Sequence, residues 1–457
     1  RSVTPMRRFV ILACLALLAA PAAAPAAPDQ VVSFEAPRDL MNPATRAGAL
    51  DEIQGLGVDT LRVILYWRDV APDPKGRTPP AFDATDPGAY AWGEYDALVT
   101  EASNRGMRIL MTVTGPVPRW ATLSRRDQYT RPSAERFADF VQAVGRQFGA
   151  RVDVWAVWNE PNHPDFLRPQ FFRGKPASGV WYRKLFLAAA KGLDRAGEGG
   201  DPLLMGETAP VGTSNVVAPL VFLNTALCID RRSLRLGKAC KAVPADGYAH
   251  HPYTRRQGPF YEPAGRNDVT IGALGRLKRA LDRAARLGKV RKRLPMYLTE
   301  FGVQSLPDPV YGVSQQRQAE FQAIAERIAY GNPRVKWFSQ YLLTDSDHLT
   351  KGPKISRYPG FESGLRFSNG KPKKLLKAFP VPLVAQQRGN KVSLWGLARP
   401  ATGRTRVSVY VRGKRYLTAR TNRRGYFKRT VPYVKGRTYR LKWEGHFGPP
   451  TRVYPRP

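Results

Sequence analysis

The sequence is short of the residues that hold metals and of long apolar runs. Three cysteines and five histidines occur in 457 residues. Cys14 lies inside an N-terminal apolar stretch. That leaves Cys228 and Cys240, which bracket a basic loop. In an exported chain an even pair this close points to a local disulfide. His250 and His251 are adjacent but have no acidic partner at ligand spacing, so no metal site is expected. No motif calls for a cofactor. After the N-terminus there is no run of about eighteen apolar residues, so no transmembrane anchor is expected.

Acidic residues are also scarce. Lys and Arg number 73 against 36 Asp and Glu, a net charge of +37. The excess reads as spread along the whole chain. Such a balance informs partners rather than fold. It is compatible with an anionic polysaccharide or another anionic cell-wall polymer. A clustered basic helix or an aromatic–basic repeat is lacking, so no specific nucleic-acid partner is expected. Nothing in the sequence fixes an oligomeric state.

Residues 1–28 read as a signal peptide. Arg7 and Arg8 form its positive start, Phe9–Leu18 its apolar centre, and Ala19–Pro28 its small-residue end. The expected location is therefore secreted, extracellular.

From there, strand-like and helix-like runs alternate. The strands read as Gln30–Phe34, Val58–Trp67, Met107–Val113, Val152–Trp158, Leu203–Met205, Asp246–His250, Met296–Leu298 and Val335–Leu343. Between them lie runs with apolar residues at helical spacing, such as Glu94–Arg105 and Ile271–Leu287, with a helix start read at Asn42-Pro43-Ala44-Thr45 and its body at Ala47–Leu56. Eight such units fit an α/β fold, a (β/α)8 TIM barrel over residues 29–380. An open doubly wound sheet would carry a Gly-rich phosphate loop after its first strand. Glu35-Ala36-Pro37-Arg38 stands there instead. Past Pro380 the pattern changes to short strands and Gly turns, at Lys391–Leu397, Arg406–Val411, Arg415–Thr421, Tyr426–Val431 and Thr438–Trp443. This predicts a small antiparallel β-sandwich over 381–457, an accessory domain.

Two stretches carry the chemistry. Val154–Asn162 reads VWAVWNEPN, and Leu294–Gly302 reads LPMYLTEFG. In each, an apolar strand runs out into a carboxylate, Glu160 and Glu300. The strand ends of a parallel barrel open on one face, where active sites sit. One carboxylic acid and one carboxylate about 5–5.5 Å apart are what retaining glycoside hydrolysis uses. Asn159 places an amide beside the first carboxylate, able to bond a sugar hydroxyl. Glu207, in GETAP, also ends a strand and reads as a supporting group, as do Asp345 and Asp347.

WNEPN with a downstream TEFG resembles the clan of retaining (β/α)8 glycoside hydrolases that includes cellulases, mannanases, β-xylosidases and β-galactosidases. The resemblance implies Glu160 as acid/base on the fourth strand and Glu300 as nucleophile on the seventh. It implies that Arg62, in TLRVILYW, keeps the nucleophile ionised, and that His251 and Tyr253, in HHPY, contact substrate or nucleophile. Trp120, in GPVPRWA, resembles a sugar-stacking aromatic. Tyr341 stands where the clan often has an eighth-strand Trp, and the third-strand His of many cellulase-like members is missing. The PVPRWA stretch looks more like the β-xylosidase-type and exopolysaccharide-hydrolase branch. The implied function is secreted hydrolysis of β-glycosidic bonds in poly- or oligosaccharides by double displacement. Two alternatives stand beside it: an inactive barrel that binds glycans, and a basic protein anchored to an anionic cell-wall polymer.

Overall fold

A computed structural model describes residues 30–229, 240–401 and 403–455. The segment read as a signal peptide, residues 1–28, lies outside the described residues. Eight parallel strands close into a barrel in chain order. They are β1 (Val31–Glu35), β2 (Thr60–Tyr66), β3 (Arg108–Thr114), β4 (Val154–Val157), β5 (Leu203–Thr208), β6 (Gly247–His250), β7 (Met296–Leu298) and β8 (Val335–Tyr341). The ring closes where β1 pairs with β8, Val31 opposite Trp337 and Glu35 opposite Tyr341.

A helix follows each strand. These are α1 (Pro43–Gly55), α2 (Gly93–Asn104), α3 (Ala134–Phe148), α4 (Ser178–Ala196), α5 (Pro219–Ala226), α6 (Leu274–Arg286), α7 (Gln315–Tyr330) and α8 (Lys374–Ala378). Their starts are written in the sequence. Asn42 caps α1 by accepting the Ala44 amide at 3.0 Å, and Pro43 takes the first helical position, where no amide hydrogen is needed. The helix thus begins at the start signal read at Asn42-Pro43. Ser133 and Ser314 cap α3 and α7 in the same way.

Period-two alternation gives the barrel two cores. Leu110, Val154, Ala156, Leu204, Ala249 and Trp337 form a cluster of their own. Strand neighbours of opposite parity, such as Ile109, Trp155, Leu203 and Tyr248, join the larger core shared with the helices.

The rest of the chain is a mostly antiparallel sheet that curls over its own core. Its strands are β9 (Leu383–Arg388), β10 (Lys391–Leu397), β11 (Arg406–Val411), β12 (Lys414–Arg420), β13 (Tyr426–Pro432), β14 (Thr438–Trp443), a two-residue β15 (His446–Phe447) and β16 (Thr451–Tyr454). Val392, Leu394, Val407, Val409, Phe427 and Leu441 fill the space between its faces. One pairing departs from the antiparallel rule: β9 and β16 run parallel, with Ala385 opposite Val453. The sheet is docked on α7. Tyr330 stacks on Tyr426 at 4.1 Å, and Arg399 reaches Glu326 at 2.9 Å in a buried ion pair. Cys228 and Cys240 form the expected disulfide, with Cα atoms 6.1 Å apart. No described helix is long and apolar enough to cross a membrane.

Candidate active site

The barrel brings seven chemistry-bearing side chains to the C-terminal ends of its strands. Glu35 ends β1, Arg62 lies in β2, Asn159 and Glu160 follow β4, Glu207 lies in β5, His251 follows β6 and Glu300 follows β7. Arg62 is the hub. Its Nη1 donates to Glu300 Oε1 at 2.7 Å and to Glu35 Oε2. Its Nη2 donates to Asn159 Oδ1 at 2.9 Å and to Glu207 Oε2 at 2.5 Å. Its Nε is shared between Thr112 Oγ1 and Glu207 Oε1, each at 3.2 Å. Guanidinium has no acceptor, so Asn159 must turn its oxygen to Arg62, which leaves the amide nitrogen as a donor elsewhere.

Glu300 is held at both oxygens. Arg62 takes Oε1, and the Tyr253 hydroxyl donates to Oε2 at 2.9 Å. His251 Nδ1 lies 3.0 Å from Glu160 Oε1 and 3.5 Å from Glu300 Oε2. Both neighbours are carboxylates, so Nδ1 carries the hydrogen. A carboxylate oxygen of Glu160, one of Glu300 and a ring nitrogen of His251 all lie within 4.8 Å of one another. That is close to retaining spacing and short of the roughly 6.5–9.5 Å that inverting enzymes leave for a water. The three atoms stand at metal-ligand distances, but Arg62 and His251 already balance these carboxylates. Added positive charge is not what the cluster lacks.

The electrostatics separate the carboxyls. Burial alone would push Glu300 up. The charges of His251 and Arg62, with hydrogen bonds from Tyr253 and Arg62, outweigh it and hold the carboxyl below its usual value. Burial likewise opposes charge on His251, but Glu300 and the hydrogen bond to Glu160 outweigh it and raise the imidazole. For Glu35, burial dominates. Arg62 opposes it, while the Glu300 and Glu207 charges add to it, and the carboxyl is pushed well above its usual value. Arg62 is shared among three carboxyls, and Glu35 is the one that burial pushes up.

The backbone at this rim is strained. Trp158, Glu160, Glu207 and Leu342 have φ of +70°, +38°, +49° and +77°. Non-glycine residues rarely sit there, and such outliers gather at functional sites. Packing locks the turn in place. Trp158 is buried against Phe137, with its indole nitrogen on the Phe166 carbonyl at 3.1 Å, and the Glu160 amide donates to the Glu207 carbonyl at 3.0 Å.

A cleft of about 610 Å³ opens above the cluster. Glu35, Arg62, Asn159, Glu160, Glu300 and Tyr341 line its polar side; Leu40, Met41, Ile64, Leu98 and Phe166 line its apolar side. Tyr341 thus reaches the cleft, in edge contact with Tyr253 and Phe361. His251 is buried behind the two glutamates and reaches both, while the half-buried Tyr253 reaches Glu300 alone. Trp120 does not come to the cleft. It is 2% exposed, packed edge-on against Trp67 and Phe82, with its indole nitrogen on the Pro72 carbonyl at 3.1 Å. No ring face is left for a sugar, so the stacking role expected of it is corrected to a core role. Glu207, wholly buried on Arg62, takes the supporting place expected of it. Asp345 lies apart, buried against Lys373 at 2.6 Å. Glu35 went unnoticed in the sequence. The rule that found Glu160 and Glu300, a carboxylate at the end of an apolar strand, also applies to VVSFE.

No protein-family model matches the chain, and no curated protein matches it. Solved structures do. A family 39 glycoside hydrolase from Bacteroides cellulosilyticus WH2 aligns with TM-score 0.54 and 17% identity, over 88% of this chain and 79% of that one. A monomeric β-xylosidase from Caulobacter crescentus CB15 aligns with TM-score 0.51 and 15% identity, over 90% and 95%. A glucosidase from Croceicoccus marinus aligns with TM-score 0.51 and 13% identity, over 92% and 95%. The chain therefore shares its fold, a (β/α)8 barrel followed by a β-domain, with glycoside hydrolases.

Proposed function

We propose that the chain is a retaining glycoside hydrolase of β-linked sugars, with Glu160 as acid/base and Glu300 as nucleophile. The observation that carries this reading is the pairing of the two carboxylates at the ends of β4 and β7, with an oxygen of each within 4.8 Å. The fold-sharing structures named as a β-xylosidase and a glucosidase support the substrate class.

In the first step Glu300 attacks the anomeric carbon while Glu160 gives its proton to the departing glycosidic oxygen. Arg62, His251 and Tyr253 favour the ionised nucleophile and fix its rotamer. Glu300 becomes an ester of the sugar. In the second step Glu160, now ionised, takes a proton from water, and the hydroxide oxygen displaces Glu300 from the anomeric carbon. Two inversions give net retention. The Asn159 amide nitrogen and Tyr341 stand by the cleft to hold ring hydroxyls. The N-terminal apolar segment and the disulfide support export of the enzyme, and N-terminal sequencing of the mature protein from culture medium checks it.

The test is covalent trapping. A 2-fluoro glycoside slows the second step, and peptide mapping should find the sugar on Glu300. Glu160→Gln and Glu300→Gln should each lose nearly all turnover and keep their fold. Normal hydrolysis by both variants sinks the assignment. A folded wild type that binds sugars but is never labelled would instead be the inactive binding barrel.

A further inference from the structure

The positive charge is not spread evenly once barrel and sheet are separated. Residues 381–457 hold 19 Lys and Arg and a single acidic residue, Glu444. Residues 29–380 hold 51 Lys and Arg against 35 Asp and Glu. Half of the chain's net charge of +37 thus sits in its last 77 residues. A general drift of the genome toward arginine would mark both parts alike and would not strip one part of its acids.

The single acid of this region cannot neutralise that charge. Arg399 and Arg452 pair with Glu326 and Glu320, both supplied by α7 of the barrel. Two strand pairs of the sheet set cation against cation. Arg388 stands opposite Lys391 across β9 and β10, and Arg406 opposite Arg420 across β11 and β12. All four are exposed. Like charges directly opposed on a sheet destabilise it. The apolar core of the sheet is complete without them, so they do not serve the fold.

The same surface is poorly equipped for other ligands. Trp395 and Trp443 are each 5% exposed, so neither offers a flat platform to a neutral sugar. Tyr416, with the Arg437 guanidinium 5.2 Å from its centre, is a lone exposed ring in the described part of the sheet, not a row on which successive bases stack. Tyr416 and Val434 are the large apolar side chains that the described part of the sheet exposes, too few to enter a bilayer.

We propose that the C-terminal sheet is a retention module for an acidic polysaccharide, one carrying carboxylate or phosphate groups along its length, bound through exposed arginines and lysines and independently of the cleft. Recognition is electrostatic, with many weak contacts that follow the polymer's charge spacing.

Binding of the full chain to immobilised polygalacturonate, a phosphate-bearing glycan, neutral pullulan and duplex DNA tests this. Expected is binding to at least one acidic glycan, weakened more than about tenfold between 50 and 200 mM salt, and none to pullulan. The preferred acidic glycan tells carboxylate from phosphate. Arg406→Gln/Arg420→Gln and, separately, Arg388→Gln/Lys391→Gln should each weaken binding several-fold and should not lower the melting temperature, since each relieves a repulsion. Glu160→Gln should bind as wild type does. Binding that survives both double variants, equal retention on pullulan, or tighter binding to DNA than to either acidic glycan at the same salt would overturn the proposal. Loss of binding in Glu160→Gln would place it in the cleft and overturn it too. The glycosidase reading can fail without touching this one.

Discussion

Replacing Arg62 with methionine takes one cation from among three buried carboxyls. The side chain of Arg62 is wholly inaccessible, as is that of Glu207, while Glu35 and Glu300 are 3% and 8% exposed. Water cannot take over its role. Removing one member of a buried ion pair typically costs about 3–5 kcal/mol, because the remaining charge stays behind. Here Glu35, Glu207 and Glu300 all lose their shared partner. The loss should reach at least about 3 kcal/mol, tempered as the carboxyls take up protons. The contribution of Glu300 to the pH dependence should change sign. In the wild type Glu300 lies below its ordinary value of 4.5, so its ionisation stabilises the fold above that pH and the contribution fades as pH falls through the lowered value. Without Arg62 the crowded carboxyls lie above their unfolded values, and stability drops as pH rises past about 4.5. The nucleophile also becomes harder to ionise, so the acid limb of kcat/KM moves to higher pH. Urea unfolding followed by tryptophan fluorescence at pH 5 and 8, with a pH–rate profile, measures all three. Adding Glu35→Gln to the variant should recover part of the stability. A variant as stable as wild type at both pH values, with its acid limb unmoved, would refute the shared-cation account.

Three further outcomes follow from the same geometry. Glu160→Ala should lose roughly 10²–10⁴-fold on glycosides with poor leaving groups and far less on a dinitrophenyl glycoside, which departs without a proton; azide should restore turnover by filling the vacated space, and equal losses on both substrates would contradict the acid role. Glu35→Gln should be stabilising increasingly as pH rises above about 4.5, because burial raises the folded carboxyl and makes its ionisation a liability; a melting difference that is flat with pH would contradict this. Arg399→Met should cost about 3–5 kcal/mol by stranding Glu326, with kcat/KM unchanged, and Glu326→Met/Arg399→Met should regain much of it; thermal melting of the single and double variants decides.

The barrel was legible because its strands are β-branched and aromatic runs closed by Gly and Pro, and because eight of them fit one ring. The two glutamates were legible for the same reason: each ends a run that can only be a strand. Trp120 was misread because an aromatic after a strand looks the same whether it turns outward or inward, and the contacts with Trp67 and Phe82 that turn it inward come from distant parts of the chain. Strand β9 is not among the runs read after Pro380, because it follows directly on Pro380 and Pro382 and its parallel pairing with β16 joins residues nearly seventy positions apart. Glu35 was passed over because its significance lies in company, with Arg62, Glu207 and Glu300, that only the closed ring assembles. The polarity of the last 77 residues was in the sequence throughout, but averaging over the chain concealed it.

The left-handed turns at the barrel rim bear on how the protein can change. Trp158, Glu160, Glu207 and Leu342 each hold a conformation that glycine adopts freely and an L side chain resists by about 1–2 kcal/mol. Two of the four are carboxylates of the cluster. A population selected for heat tolerance alone would therefore gain by trading Glu160, which forms no ion pair with Arg62, for glycine or asparagine, whereas Glu207 is kept by its buried pairing with Arg62. Durability and turnover pull on the same few positions in opposite directions, so ancestors or engineered lines that drift toward robustness should lose the cleft first and the barrel last.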